Sequence, residues 1–281
     1  MRRLAAKCET SKVMAFFCVF PRRNSFKSNS EYAAYNSINF NRVFSLPLES
    51  HNYEKLRTLL NYFNRFCNHP STGVVSFHRC RLETFPDWST APERLSQVRV
   101  DSRGLIEEEG SKYIQMDFAN KYIGGGVLGH GLVQEEIRFI ISPELIVTML
   151  LTEKLEDDEC LIMTGAEKYS NYSGYANSYK FESTHHDIIS RDPLSRKLTQ
   201  VVAMDAIPYY DDPTEQYLMT NIIRDLNKSY VSFVSNNTNQ SAIATGNWGC
   251  GAFCGNPHLK VCICYVIVLL RNLYVTLSYI T

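Results

Sequence analysis

Three consecutive glycines, Gly124 to Gly126, stand between Asp117 and Asn120 on one side and Gln134, Glu135 and Glu136 on the other. Glycine tolerates positive φ and, having no Cβ, lets backbone N–H groups come close to an anion such as phosphate. Two adjacent glutamates beside such a loop can take a proton from, or give one to, whatever the loop holds. These groups need a scaffold that delivers them to one place. Tyr113 to Phe118 alternates, with Gln115 and Asp117 on one face and Ile114, Met116 and Phe118 on the other, so it reads as a strand carrying Asp117 at its carboxyl end. A helix is expected to open near Leu132, to hold Gln134 to Glu136 in its first turns with Ile137 and Ile140 at core spacing, and to end at Pro143.

A second glycine-rich stretch, SAIATGNWGCGAFCG at 241–255, repeats the order of strand, loop and helix, the helix starting near Pro257. Loops leaving the carboxyl ends of strands in an open α/β sheet converge on one crevice. The two glycine loops are therefore expected to close on a single ligand, with Trp248 and Phe253 offering aromatic faces. Cys250, Cys254, Cys262 and Cys264, with His258 among them, invite a zinc reading. Their Cys-x3-Cys and Cys-x-Cys spacings depart from common zinc sites, and ligand contact explains the first pair better.

Elsewhere the pattern alternates between strand and helix, which implies an α/β domain with a largely parallel or mixed sheet. Tyr53 to Phe66 carries Leu56, Leu59, Leu60 and Phe63 at helical spacing, and Glu215 to Val231 carries Leu218, Ile222, Ile223, Leu226 and Tyr230. Gly73 to His78, Cys160 to Thr164 and Leu198 to Ala203 read as strands, and Ile106 to Gly110 as a charged turn. Tyr169, Tyr172, Tyr175 and Tyr179 mark either an ordered binding loop or rings covering the edge of the core. The apolar tail is interrupted by Arg271 and Asn272. It reads as a buried helix from about His258 to Leu270 followed by a core strand from Leu273 to Ile280, too short an apolar run for a membrane span.

With 281 residues, 44% of them apolar, the chain can bury a substantial core. Its 29 basic and 29 acidic residues cancel, so it lacks the footprint of a general nucleic-acid binder, and an anionic ligand must be held locally. Nine irregularly spaced cysteines and no secretory signal favour a reducing compartment, which makes the glycosylation triplets at Asn171, Asn227, Asn236 and Asn239 chance matches. The basic, acid-free start MRRLAAKC has the composition of a transit peptide.

GGGVLGHGLVQEE resembles the GGG…QEE signature of the poly(ADP-ribose) glycohydrolases, and AFFCVFPRRN, INFNRVF, QMDFAN, LVQEEIRFIISPELI, ECLIMTG, SGYANSY, VVAMDA and ATGNWGCGAF extend the likeness. The resemblance implies an α/β fold, a macrodomain-like mixed sheet flanked by helices with a partial helical N-terminal accessory region. The expected division is 1–70 for the accessory region and 71–281 for the catalytic domain. It implies hydrolysis of ribose–ribose bonds in poly(ADP-ribose), with Glu136 as general acid and base, Glu135 holding hydroxyls of the departing ribose and Asp117 supporting the arrangement. Gln134 completes the signature. Gly124, Gly125, Gly126 and the segment Asn247, Trp248, Gly249, Cys250, Gly251, Ala252 would contact diphosphate and ribose. Ile106 and Glu107 match adenine-side positions, Asn120 a contact near the terminal ribose, and Tyr175 and Phe253 aromatic walls. No cofactor and no metal are implied. The partners implied are the polymer and ADP-ribosylated proteins, without sequence-specific nucleic acid or membrane, for a monomer of the nucleus or cytoplasm acting in the DNA damage response; a mitochondrial address is the secondary reading.

The sequence also departs from the family. Leu128, Gly129 and His130 replace small or hydroxyl residues, Cys254 stands where glycine is usual, and residues 261–281 diverge. The family's later helices are absent and its helical region is shortened, as in a fragment or divergent isoform. The alternative function is an ADP-ribose-binding module with weak or no turnover. A third, an unrelated nucleotide-binding enzyme, lacks both a Walker lysine and a Gly-x-Gly-x-x-Gly fingerprint.

Overall fold

The computed structural model describes residues 3–6, 33–36, 38–47, 49–90, 98–101, 104–108, 113–234, 242–271 and 274–278. The family segment AFFCVFPRRN, Gly110, Leu273 and Ile280 at the ends of the expected last strand, and the triplets at Asn236 and Asn239 lie outside the described residues. One eight-stranded sheet is formed by β1 (Arg3–Ala6), β2 (Val75–Arg81), β3 (Val98–Asp101), β4 (Tyr113–Ala119), β5 (Glu159–Thr164), β8 (Gln200–Asp205), β9 (Ala242–Thr245) and β10 (Tyr274–Ser278). Its order is β1-β2-β5-β8-β4-β9-β10-β3. Pairing is antiparallel from β1 to β8 and parallel from β8 to β3, so the sheet is mixed. β6 (Ser170–Ser173) and β7 (Lys180–Thr184) form a separate antiparallel ribbon.

Period-two alternation sorts the central strands onto two cores. Leu161, Met163, Val201 and Ala203 face one side, where they meet α1 (Ser50–Asn68) and α2 (Gln134–Ile141) through Leu59, Tyr62, Ile137 and Ile140. Ile114, Met116, Ile162, Val202 and Met204 face the other, against Leu226 and Val231 of α3 (Met219–Val234) and Ile263 and Ile267 of α4 (Pro257–Arg271). Each such side chain contributes roughly 1.5–3 kcal/mol when fully buried, which is why these strands are apolar on both faces.

The neighbouring parallel strands β4 and β9 are followed by helices on opposite faces of the sheet, α2 on one and α4 on the other. The loops between must part, and a crevice opens at the carboxyl ends of the two strands. β9 pairs with β4 only along Tyr113, Ile114 and Gln115. Beyond that point the side-chain amide of Gln134 replaces the missing neighbour, accepting from Phe118 N–H at 2.8 Å and donating to the Met116 carbonyl at 3.0 Å.

Three sequence expectations change in the structure. On α1 the buried stripe is Asn52, Lys55, Leu59, Tyr62 and Phe66, whereas Leu60 faces solvent. On α3, Leu218 precedes the helix and is exposed with Ile223, while Asp225, Lys228, Ser229 and Ser232 are buried beside Leu226 and Val231. The cause is a buried charge cluster: Asp205 pairs with Arg224 at 2.6 Å and with Lys228 at 2.7 Å, and Asp225 pairs with Lys260. Among the tyrosines, Tyr169 and Tyr179 are core residues, and Tyr175 alone reaches the crevice.

Candidate active site

Glu135 and Glu136, in the first turn of α2, are both buried and both aimed at the glycine loop. Glu135 accepts the N–H of Gly124 at 2.6 Å and that of Asn120 at 2.9 Å. Glu136 accepts the N–H of Gly126 at 2.9 Å through Oε1 and, through Oε2, that of Val133 at 3.0 Å, closing the first turn as a helix cap does. The N–H of Gly125 is bonded to the Tyr122 carbonyl. The sequence reading offers the N–H groups of Gly124 to Gly126 to a diphosphate, but the structure spends all three within the protein, two of them on carboxylates. The need for glycine follows from the same geometry: Gly125 has φ +46°, and a Cβ there would sit 2.5 Å from Glu136 Oε1 and 2.7 Å from Glu135 Oε2.

Asp117 lies beneath this pair, fully buried, and neither carboxyl oxygen has a hydrogen-bond partner among the described residues. Burial pushes its pKa up to about 8, against the opposing pull of the Arg138 guanidinium and with help from the charge of Glu136. Burial, followed by repulsion from Asp117 and Glu136, likewise holds the Glu135 carboxyl well above the usual carboxylate range despite its two backbone donors. Crowding three carboxyl groups in a dry site thus favours protonated forms of Asp117 and Glu135.

The crevice between the strands is a cavity of about 320 Å³, lined on one side by Asn120, Gln134, Glu135, Glu136 and Tyr175 and on the other by residues 247–253. Its size suits a nucleotide-sized ligand. Only the second glycine loop borders this space: Gly125 and Gly126 line a separate cavity of about 350 Å³ with Asn36 and Tyr122, and Asn120 and Glu136 border both. The expectation that the two loops close on a single cavity does not hold, because the Glu135 and Glu136 side chains stand between Gly125 and the crevice. The N–H groups of Gly249, Gly251, Ala252 and Phe253 make no hydrogen bond among the described residues. A Cβ on Gly251 would meet nothing within 4 Å, so the protein leaves room there that packing does not require. The second loop, rather than the first, offers backbone donors to an anion. Burial raises the thiol pKa of Cys250, at the cavity wall, to about 11.

Not every expected site residue joins the cavity. Ile106 is buried and Glu107 accepts the Tyr172 hydroxyl at 2.6 Å, both outside the cavity lining. Trp248 borders the cavity but is fully buried, its Nε1 donating to the Met204 carbonyl at 3.1 Å, so it supports the loop instead of presenting an open face. Gln134 has both ends of its amide committed to β4. Phe253 and Tyr175 do line the space, and the Tyr175 hydroxyl also accepts the N–H of Gln134 at 3.2 Å. Two residues escape the sequence reading: Asn36, whose Nδ2 donates toward the carbonyls of Tyr122, Ile123 and Gly125 at 3.2, 3.1 and 3.3 Å, and Lys55, which holds those of Gly129 and Gly131. A signal for the second exists, since Lys55 falls in the stripe shared by Leu59, Tyr62 and Phe66, where a charged residue must find partners.

A family model for poly(ADP-ribose) glycohydrolase, Macro domain fold, matches residues 85–281, and one for the helical domain of the same family matches residues 8–79. Poly(ADP-ribose) glycohydrolase 1 of Arabidopsis thaliana is 32% identical over 89% of this chain and 58% of that protein. Poly(ADP-ribose) glycohydrolase 1 of Caenorhabditis elegans is 38% identical over 75% of this chain and 29% of that protein. The chain thus spans well under two thirds of the length of these relatives. The solved poly(ADP-ribose) glycohydrolase of Thermomonospora curvata superposes on 80% of this chain and 93% of that one, with 13% identity and a TM-score of 0.46.

Proposed function

The chain belongs to the poly(ADP-ribose) glycohydrolase family, and on that premise we propose that it hydrolyses the ribose–ribose glycosidic bonds of poly(ADP-ribose) and releases ADP-ribose. The observation that supports this reading above the others is the convergence of the Glu135 and Glu136 carboxylates over Gly125, at the wall of a nucleotide-sized cavity. Glu136 gives its proton to the ribose oxygen that leaves the anomeric carbon, and the breaking C–O bond sends its electron pair to that oxygen. Water then adds to the oxocarbenium-like ribose and returns a proton to Glu136. General acid and base assistance of this kind is worth about 10² to 10⁴ in rate. Glu135 holds hydroxyls of the departing ribose, and a protonated Asp117 adds no negative charge beneath the pair. The diphosphate rests on the backbone donors of Gly249, Gly251, Ala252 and Phe253, and Tyr175 and Phe253 flank the ligand.

Purified protein incubated with ADP-ribose polymer is expected to release free ADP-ribose, and Glu136→Gln to lose that activity by roughly 10² or more. Calorimetry should show ADP-ribose binding retained in the variant. Binding by the wild type without release of product would replace the hydrolase by a binding module, and failure of both would remove the reading.

A further inference from the structure

The loop between the glycines and α2 is folded back on itself. The carbonyl of Gly126 accepts the N–H of Gly129 at 2.8 Å and that of Gly131 at 3.1 Å. Its closing residue, Gly131, is pressed against Glu136: a Cβ there would lie 2.6 Å from Oε1, 2.7 Å from Cδ and 2.8 Å from Cγ. Glu136 is thus enclosed by the Gly126 N–H on one side and the Gly131 backbone on the other. The carbonyls of Gly129 and Gly131 are both taken by a single group, the Lys55 ammonium, at 2.7 Å each. Lys55 comes from α1, far from this loop in sequence, and is completely buried.

We propose that Lys55 is a positioning residue for Glu136: by clamping the Gly129 and Gly131 carbonyls it fixes the wall against which Glu136 rests and sets a positive charge beside that carboxylate. This rests on the role given to Glu136 above. The hydrolytic step then depends on the docking of α1, because without it the loop loses both its clamp and its cation. Charge-assisted bonds to two carbonyls fix a backbone more firmly than neutral ones, and a buried ammonium needs such partners. Burial lowers the Lys55 pKa to about 8, while the charge of Glu136 opposes that fall. Glu136 on α2 is the charged group that faces Lys55; Glu54, its neighbour on α1, is engaged by the Phe181 N–H, and His130 in the loop is exposed.

Two measurements test this. In the first, the Lys55 side chain is titrated by NMR in the full chain, wild type and Glu136→Gln. Titration near pH 8 is expected in the wild type, and a fall of roughly half a unit or more in the variant, since the charge that supports the ammonium is gone. Identical titrations would overturn the proposal. In the second, Lys55→Met is expected to lower kcat at least about tenfold while KM for polymer and Kd for ADP-ribose move less than about threefold, the pattern of a lost transition-state interaction with ligand contacts intact. Wild-type kcat in a folded Lys55→Met would also overturn it. Should Lys55→Met fail to fold, the titration decides alone. Absence of ADP-ribose release by the wild type would sink the functional reading and leave the link between Lys55 and Glu136 to the titration.

Discussion

The Lys260 ammonium lies 4.3 Å from the centroid of the Trp248 ring while ion-paired with Asp225. It therefore joins α4 and α3 beneath the second glycine loop, close under Gly249 and Gly255. Lys260→Met would leave Asp225 buried with Arg224, at 3.1 Å, as its remaining cation. Removing one partner of a buried pair is expected to destabilise by about 3 kcal/mol. Urea unfolding measures this, and a loss under about 1 kcal/mol would show that Arg224 compensates.

Gly125→Ala puts a methyl between Glu135 and Glu136 at a φ of +46°. The carboxylates must part, and polymer cleavage is expected to fall by roughly 10² or more, since misplacement of about 1 Å can cost that much. The left-handed backbone adds about 1–2 kcal/mol of destabilisation. Initial rates and a thermal melt on the same preparation separate the two effects.

Gly251→Ala tests the second loop in the opposite sense. Because a Cβ there meets nothing within 4 Å, the fold is expected to tolerate it, with stability unchanged or raised by up to about 1 kcal/mol. If a diphosphate occupies that space, ADP-ribose affinity drops at least about tenfold. Unchanged affinity in calorimetry would move the ligand away from Gly251.

Asp117 keeps its proton in the fold up to about pH 8, whereas the unfolded chain loses it near 3.8. Between those values the native state binds the extra proton, so stability falls as pH rises and levels off above about 8. Asp117→Asn removes that contribution, and its stability is expected to decline less steeply, by roughly 1 kcal/mol per pH unit. Glu135 is raised in the same direction partly by Asp117 itself, so the variant also relieves that repulsion, a change of the same sign. Urea midpoints from about pH 5 to about pH 8 give the comparison, and parallel curves would mean that Asp117 is ionised in the fold.

Local pattern made the scaffold readable. The alternation of Tyr113 to Phe118 sets the faces of β4 correctly, and both strand–loop–helix units occur where their glycines place them. The misread features depend on distant partners. Periodicity along α3 favours Leu218 and Ile223, but the buried face is set by Asp205, Glu156 and Glu159, at or near the ends of β8 and β5 against which α3 packs, and these receive Arg224 and Lys228. Gly124 to Gly126 suit a phosphate by residue type alone, and only the fold shows that Glu135 and Glu136 already occupy two of their donors. For Lys55 the sequence signals only a charge in a buried stripe, and its partners are named only once α1 is docked beside Gly129 and Gly131.

β10 sits between β9 and β3, parallel to both, and it is the neighbour through which β3 joins the sheet. During synthesis Val98–Asp101 emerges early yet has no place to pair until Tyr274–Ser278 has followed it out of the ribosome. Until then β9 is a bare edge, able to recruit a strand from another chain. Closure of this end, which requires the longest loop in the sheet, should therefore be the slow step of folding. A nascent chain would hold the carboxylate side of the crevice before the strand that supports its opposite wall is secured.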